Sequence, residues 1–410
     1  MRVILDKVCH SIPWLFLLAT LPVAAADWVP VEAGPSNIDT QPFRASINKI
    51  EREHGALDYR LAEHFLSLGL AHRANGDVEN AVATFRQALH INRINKGLHH
   101  LMHVPIVDLL IDTYAQLEDW DAVERQHRYR YWIHRREVRE NSDQFVDAAI
   151  VFANWETQAS NLETGVHSFR QLRDAQDALS GAFETVAAGD AAGDPRIVRI
   201  LNLQAMANLN LALHVSNTEV DPVTGGSLAG ETVSDIIVRR NLILECFIRG
   251  KQALEQVVSI SEAEALTIQH GLALANLADW ELIFERPQSS TKNYQRAYEL
   301  LQSAGLSEEE LAIEFEQPRK LSVFTVARRT KVEAIASNDE VPYVKASFSV
   351  TRSGHARNVK VVEAKPADNS RMIRRARASL RDARFRPRIS DEGPVESTST
   401  IRYVFPDESI

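Results

Sequence analysis

From Ile47 to Phe315 nearly every segment repeats its apolar residues at helical spacing. Only three stretches interrupt the pattern: AAGDAAGDP (187–195), NTEVDPVTGGSLAG (217–230) and ERPQSS (285–290). No other feature constrains the fold as much. A helix with one apolar stripe must bury that stripe against a neighbour. A long succession of helices with brief turns therefore folds as stacked antiparallel hairpins. At 410 residues the chain is also too long for a single ordinary domain.

The texture of the hairpins is visible in FLSLGLAHRANGDVENAVATFRQALHINR, residues 65–93. Leu68 and Gly69 are followed by His72, Gly76-Asp77 makes the turn, and Ala81, Phe85 and Ala88 lie on the second helix. Small residues at these positions let two helices approach closely while an aromatic ring fills the groove between them. The stretch resembles a tetratricopeptide repeat, without that repeat's terminal proline. A weaker copy runs over 109–132, with Tyr114 on its first helix and Glu118-Asp119-Trp120 at the turn; a later one places Tyr294, Ala297 and Tyr298 on its second helix. The resemblance implies an α-solenoid of about five to seven degenerate hairpins.

Near Pro318 the period changes from 3.6 to 2. In VPYVKASFSVTR, Val344, Ala346, Phe348 and Val350 share one face, and Lys345, Ser347, Ser349 and Thr351 the other, the pattern of a half-buried strand. Ser353-Gly354 is a turn and ARNVKVVEAKP a second strand. Asn369 or Ser370 then caps a helix whose stripe is Met372, Ile373, Ala376, Leu380 and Ala383. Its other faces carry Arg371, Arg374, Arg375, Arg377, Arg381 and Arg384. In RDARFRPRISDEGPV (381–395), Phe385 is an aromatic anchor for the layer between helix and sheet. Pro387 ends the helix, and Gly393-Pro394 turns the chain into a last strand with Ile401, Tyr403 and Phe405 on one face.

This ordered set resembles the C-terminal domain of TonB-type energy transducers. The marks are the Gly354 turn, the V-V-x-x-x-P second strand, the amphipathic helix, the R-F-x-P element (Arg384 to Pro387), and Gly393 before a strand ending in Tyr403 and Phe405. The fold expected is thus mainly α: a solenoid of tetratricopeptide-like hairpins followed by a small α+β domain, β-β-α-β. The expected segments are a leader at 1–26, a linker at 27–46, the helical region at 47–317 and the TonB-like domain at 318–410.

The resemblance implies that the last strand, Ser397 to Phe405, accepts an extended peptide by strand addition, since an edge strand offers unpaired N–H and C=O groups. Thr398, Thr400, Arg402 and Val404 are the candidate partner-binding residues. The implied partners are proteins or peptides of the bacterial envelope, outer-membrane transporters among them, and two copies pairing through this domain fits the same edge. Energy-transducing members keep an uncleaved transmembrane helix and a Pro-rich rod. Here a helical array stands in the place of the rod, and no Ser-x-x-x-His pattern occurs in the leader. Scaffolding in the envelope is therefore the expected function, with an anchored energy transducer as the alternative.

Charge divides the chain in the same place. The part from Pro318 onward carries +8 and the remainder −17, as expected of two modules. The first residues, MRVILDKVCHSIPWLFLLATLPVAAADW, have Arg2 and Lys7, an apolar run and Ala24-Ala25-Ala26, the pattern of a cleaved secretory signal. That run is about 15 residues, short of the ~20 a spanning helix needs. The expected location is the periplasm, or the inner membrane if the leader stays as an anchor. Export argues against nucleic acid as a partner of the arginine-rich helix.

Of the two cysteines, Cys9 lies in the leader and Cys246 in apolar LILECFI, where a small core residue is expected. In GLHHLMH, His99 and His103 have the i,i+4 spacing of a helix face but no acidic partner, and packed imidazoles are expected instead of a metal. No P-loop, G-x-G-x-x-G or G-x-S-x-G element occurs. No catalytic residue, cofactor or metal is expected.

Overall fold

The computed structural model describes residues 37–138, 142–160, 166–188, 194–217, 233–321 and 342–405. The leader at 1–26, the first part of the expected linker and most of the interruptions at 187–195 and 217–230 lie outside them. Among the described residues the protein is mainly α, with twelve α-helices followed by a small α+β domain that contains a thirteenth. No helix among them is long and apolar enough to cross a membrane.

The chain forms two compact units, with a cut inside one helix. One unit (27–159 and 177–194) holds α1 (Gln41–His54), α2 (Leu61–Ala74), α3 (Val78–Lys96), α4 (Val104–Gln116), α5 (Trp120–Glu137), α6 (Asp143–Ala159) and the end of α7 (Val166–Ala188). Helix α1 starts inside the segment expected as linker, because Pro42 in its first turn suits a helix N-terminus. Helices α2 and α3 form the hairpin expected from the sequence. Gly76 takes φ +76 at the corner, and a Cβ on Gly69 would lie 2.5 Å from the Phe85 ring. That close approach lets Leu61, Leu68, Ala81, Phe85 and Ala88 share one core with Val107 and Leu110 of α4. The α4–α5 corner is Glu118, at φ +54, followed by Asp119, whose side chain accepts the Ala122 N–H at 3.0 Å.

The other unit (160–176 and 195–410) holds α8 (Pro195–Asn217), α9 (Val233–Ala263), α10 (Thr267–Ile283), α11 (Pro287–Ser303), α12 (Glu308–Phe315) and the whole C-terminal domain. The boundary expected at Pro318 falls within it. Small residues again set helix approach: Gly250 of α9 faces the buried Trp280 of α10, and Gly271 faces Leu301 of α11. Cys246 is buried among Leu172, Leu211, Ala212 and Val215, and burial pushes its thiol up to about 12.

The C-terminal domain contains β1 (Arg319–Leu321), β2 (Tyr343–Val350), β3 (Ala356–Lys365), α13 (Ser370–Asp382), β4 (Arg384–Arg386), β5 (Arg388–Ser390), β6 (Gly393–Val395) and β7 (Ser397–Val404). Its main sheet has the order β3-β2-β7, antiparallel throughout. The expected β-β-α-β succession is β2, β3, α13 and β7. Asn369 caps α13 by accepting the Met372 N–H at 3.1 Å. Met372, Ala376 and Leu380 are buried against the sheet, the two long side chains each contributing about 2 kcal/mol.

Two expectations for 381–395 are corrected. Pro387 does not end α13: the helix stops at Asp382, and Ala383 turns extended, at ψ 150, to lay β4 beside β1. Pro387, with no N–H to give, separates β4 from β5 instead. Nor is Gly393-Pro394 the turn. The β5–β6 hairpin pairs Ser390 with Gly393, so its corner is Asp391-Glu392, and Gly393 opens β6 at φ +97.

Candidate functional site

Strand β7 is built by alternation. Ser397, Ser399, Ile401 and Tyr403 are half-buried, whereas Thr398, Thr400 and Arg402 are exposed. Val404 shares their parity but is half-buried. The four candidate residues thus stand in one row along the strand. The partner strand β2 pairs with all eight residues of β7, from Tyr343↔Val404 to Val350↔Ser397. On its other side β7 has no neighbouring strand among the described residues.

The C-terminal end of the row is held from both faces of the sheet. On the outer face the Arg402 guanidinium lies 3.9 Å from the centroid of the Tyr343 ring, and the Tyr343 hydroxyl donates to Glu363 of β3. On the inner face the Tyr403 hydroxyl accepts from Ser379 of α13 at 3.3 Å and from Lys320 of β1 at 3.5 Å. Arg375 of α13 sits over the Phe405 ring at 5.1 Å. Phe385 fills the layer as expected: it is 2% exposed, with its ring centroid 5.0 Å from that of Phe348.

One residue beyond Phe385 lies a cluster that the sequence pattern did not announce. Arg386 is 1% exposed. Its Nε and Nη2 donate to Asp279 Oδ1 and Oδ2 of α10 at 2.9 and 2.6 Å, and its Nη1 to Glu314 Oε2 of α12 at 2.8 Å. The Tyr294 hydroxyl of α11 donates to the same Asp279 at 2.5 Å. Burial disfavours the Arg386 cation, but the adjoining Asp279 carboxylate outweighs it and holds the guanidinium above the usual arginine range. Burial, followed by the Asp279 charge, raises the Tyr294 phenol well above its ordinary value. One signal was available in the sequence: Asp279 and Glu281 sit inside the apolar run GLALANLADWELIF, and acids there require buried partners.

His99 and His103 do not share a helix face. Gly97 ends α3 at φ +82, and only Leu101–His103 resume a turn of 3-10 helix. His103 is buried with its Nδ1 2.9 Å from the Tyr129 hydroxyl, and His99 packs on Trp132. Among the described residues no three His, Cys, Asp or Glu side chains converge as metal ligands would.

The open sheet edge, its covering helix and the R-F-x-P element together bear on kinship. Residues 333–405 match the family described as Gram-negative bacterial TonB protein C-terminal. The match takes in β2 to β7 and leaves α1 to α12 uncovered. No curated protein matches the chain. Among solved structures, BtubC (BKLC) from P. vanneervenii aligns over 72% of this chain and 100% of its own, at 14% identity and a TM-score of 0.35. That likeness is too loose to fix the arrangement of the helices.

Proposed function

We propose that this is a bacterial envelope protein that docks an extended segment of a protein partner on the outer edge of β7. The observation that carries the reading is the one-sided pairing of β7 among the described residues, with Thr398, Thr400 and Arg402 exposed along it. An added strand would satisfy the outward backbone groups, and side chains would select among partners. The match of 333–405 to the TonB C-terminal family supports it. The export-type N-terminal pattern supports a periplasmic location under this reading, and an outer-membrane transporter is the partner class that the family suggests. The helical hairpins offer a second surface for protein binding. The function is scaffolding and requires no catalysis.

Photo-crosslinking in cells tests the proposal. A photoreactive residue is placed in turn at Thr398, Thr400 and Arg402, and at Val362 on the opposite sheet edge, which is 62% exposed. The expected result is adducts from the three β7 positions on one partner segment, stepping by two residues in antiparallel or parallel order. Adducts from Val362 alone, or β7 adducts scattered over unrelated segments, would remove the edge from consideration.

A further inference from the structure

The surroundings of Arg386 bear on how the C-terminal domain is carried. A buried guanidinium without partners would be strongly destabilising. Here its partners come from positions 107 and 72 residues away in sequence, on two helices outside the 333–405 match. A third helix, α11, joins through Tyr294. The rings of Tyr294 and Phe315 lie within 5.9 and 5.7 Å of the cation.

Four further contacts join the same elements. Strand β1, which follows α12, pairs with β4 from Arg319↔Arg386 to Leu321↔Arg384. Arg384 reaches Glu285, at the α10–α11 corner, at 2.7 Å. The β2–β3 hairpin tip is seated on α10, where a Cβ on Gly354 would meet Leu282 at 2.8 Å and the Phe385 carbonyl closer still. Lys320 of β1 also covers the ring of Tyr403 on β7, at 5.1 Å.

Such a contact opens completely or not at all. Parting β4 from α10 would take from the Arg386 cation its two-pronged carboxylate and leave Asp279, itself 0% exposed, with only the Tyr294 hydroxyl, which carries no compensating charge, so both ions must be hydrated together. We propose that α10–α12 and the C-terminal domain are one cooperative module locked at Arg386. Residues 267–321 are then the seat that fixes the attitude of β7, and not a tether from which the domain swings. A partner laid along β7 would be held at a set angle to α10. The lock stands on the buried cluster alone; only this last consequence rests on β7 being a docking edge. Hydrogen exchange tests the lock, and the crosslinking ladder tests the edge.

The exchange is measured on the full chain and read by mass spectrometry over 267–303 and 384–395. In the unaltered protein both stretches should exchange slowly and with a common rate. Arg386→Ala should raise exchange on the order of a hundredfold in both stretches together. Arg384→Ala, which removes a pair whose Glu285 is 71% exposed, should change it by less than about threefold. Arg386→Lys keeps the charge but loses the two-pronged contact; it serves if the alanine variant fails to fold, and should give a smaller rise, again in both stretches. A rise confined to 384–395, or no rise in either variant, would overturn the proposal.

Discussion

Replacing Phe385 with alanine probes the layer that joins α13 to the sheet. The ring is surrounded by Ala346, Phe348, Val350, Leu380 and Ala383. Loss of its burial costs up to about 3 kcal/mol, and loss of the paired ring of Phe348 about 1 kcal/mol more. The neighbours cannot collapse into the gap, because β2 is pinned by pairing on both sides and Gly354 backs onto the Phe385 carbonyl. The total should therefore fall in the upper part of the range for Phe→Ala in cores, about 4–5 kcal/mol. Phe385→Leu keeps most of the volume and should cost about 1–1.5 kcal/mol. The assay is hydrogen exchange of β2 amides in the full chain at increasing urea, extrapolated to water. A cost below about 1 kcal/mol for the alanine variant, or equal costs for alanine and leucine, would show that Phe385 does not occupy the layer.

Two further predictions concern the helices. Gly250→Ala would drive a Cβ into the ring of Trp280, which is fully buried. Overpacking of about 1–3 kcal/mol should outweigh the ~1 kcal/mol gained in helix propensity and lower the melting temperature; an unchanged or raised melting temperature would mean that α9 and α10 do not meet there. His127 stacks on Trp155 with ring centroids 4.4 Å apart, and burial brings its imidazole down to about 3. Between pH 6.5 and about 3 the unfolded chain binds a proton there that the native protein refuses. Stability should fall as pH falls, by at most ~1.4 kcal/mol per pH unit from this group. His127→Phe keeps the stacked ring and should flatten the slope in denaturant titrations; a slope equal to that of the unaltered protein would refute the assignment.

How far the fold was legible depends on the length of each pattern. Strand β2 and helix α13 carry enough periods for alternation and stripe to be read, and the faces assigned to Val344, Phe348, Met372 and Leu380 are those that are buried. The Gly69–Phe85 contact was legible because a missing side chain on one helix and a ring on the next are complementary shapes, held at a fixed interval by the turn between them. Strands β1, β4, β5 and β6 are three residues each and contain no period, so their pairings could not be anticipated, and Pro387 was assigned the wrong duty in consequence. The i,i+4 spacing of His99 and His103 suggested one helix face, which Gly97 breaks by ending α3; the two imidazoles are packed, as expected. At the candidate site, alternation put Thr398, Thr400 and Arg402 in one row. That β7 pairs on one side only among the described residues, however, is a property of strand order, which is fixed by contacts between distant segments. The partners of Arg386 were hidden for the same reason.

The backbone edge of β7 has a consequence for selectivity. Every extended polypeptide presents the same repeating donors and acceptors, so an edge of this kind cannot by itself tell one chain from another. Discrimination has to come from the few atoms that overhang it: the two threonine hydroxyls and the Arg402 guanidinium on one side, the Tyr403–Lys320 pair on the other. Under the proposed docking on β7, such an edge is promiscuous by default. Its repertoire of partners could be redirected through those five side chains while the strand beneath them stays unchanged.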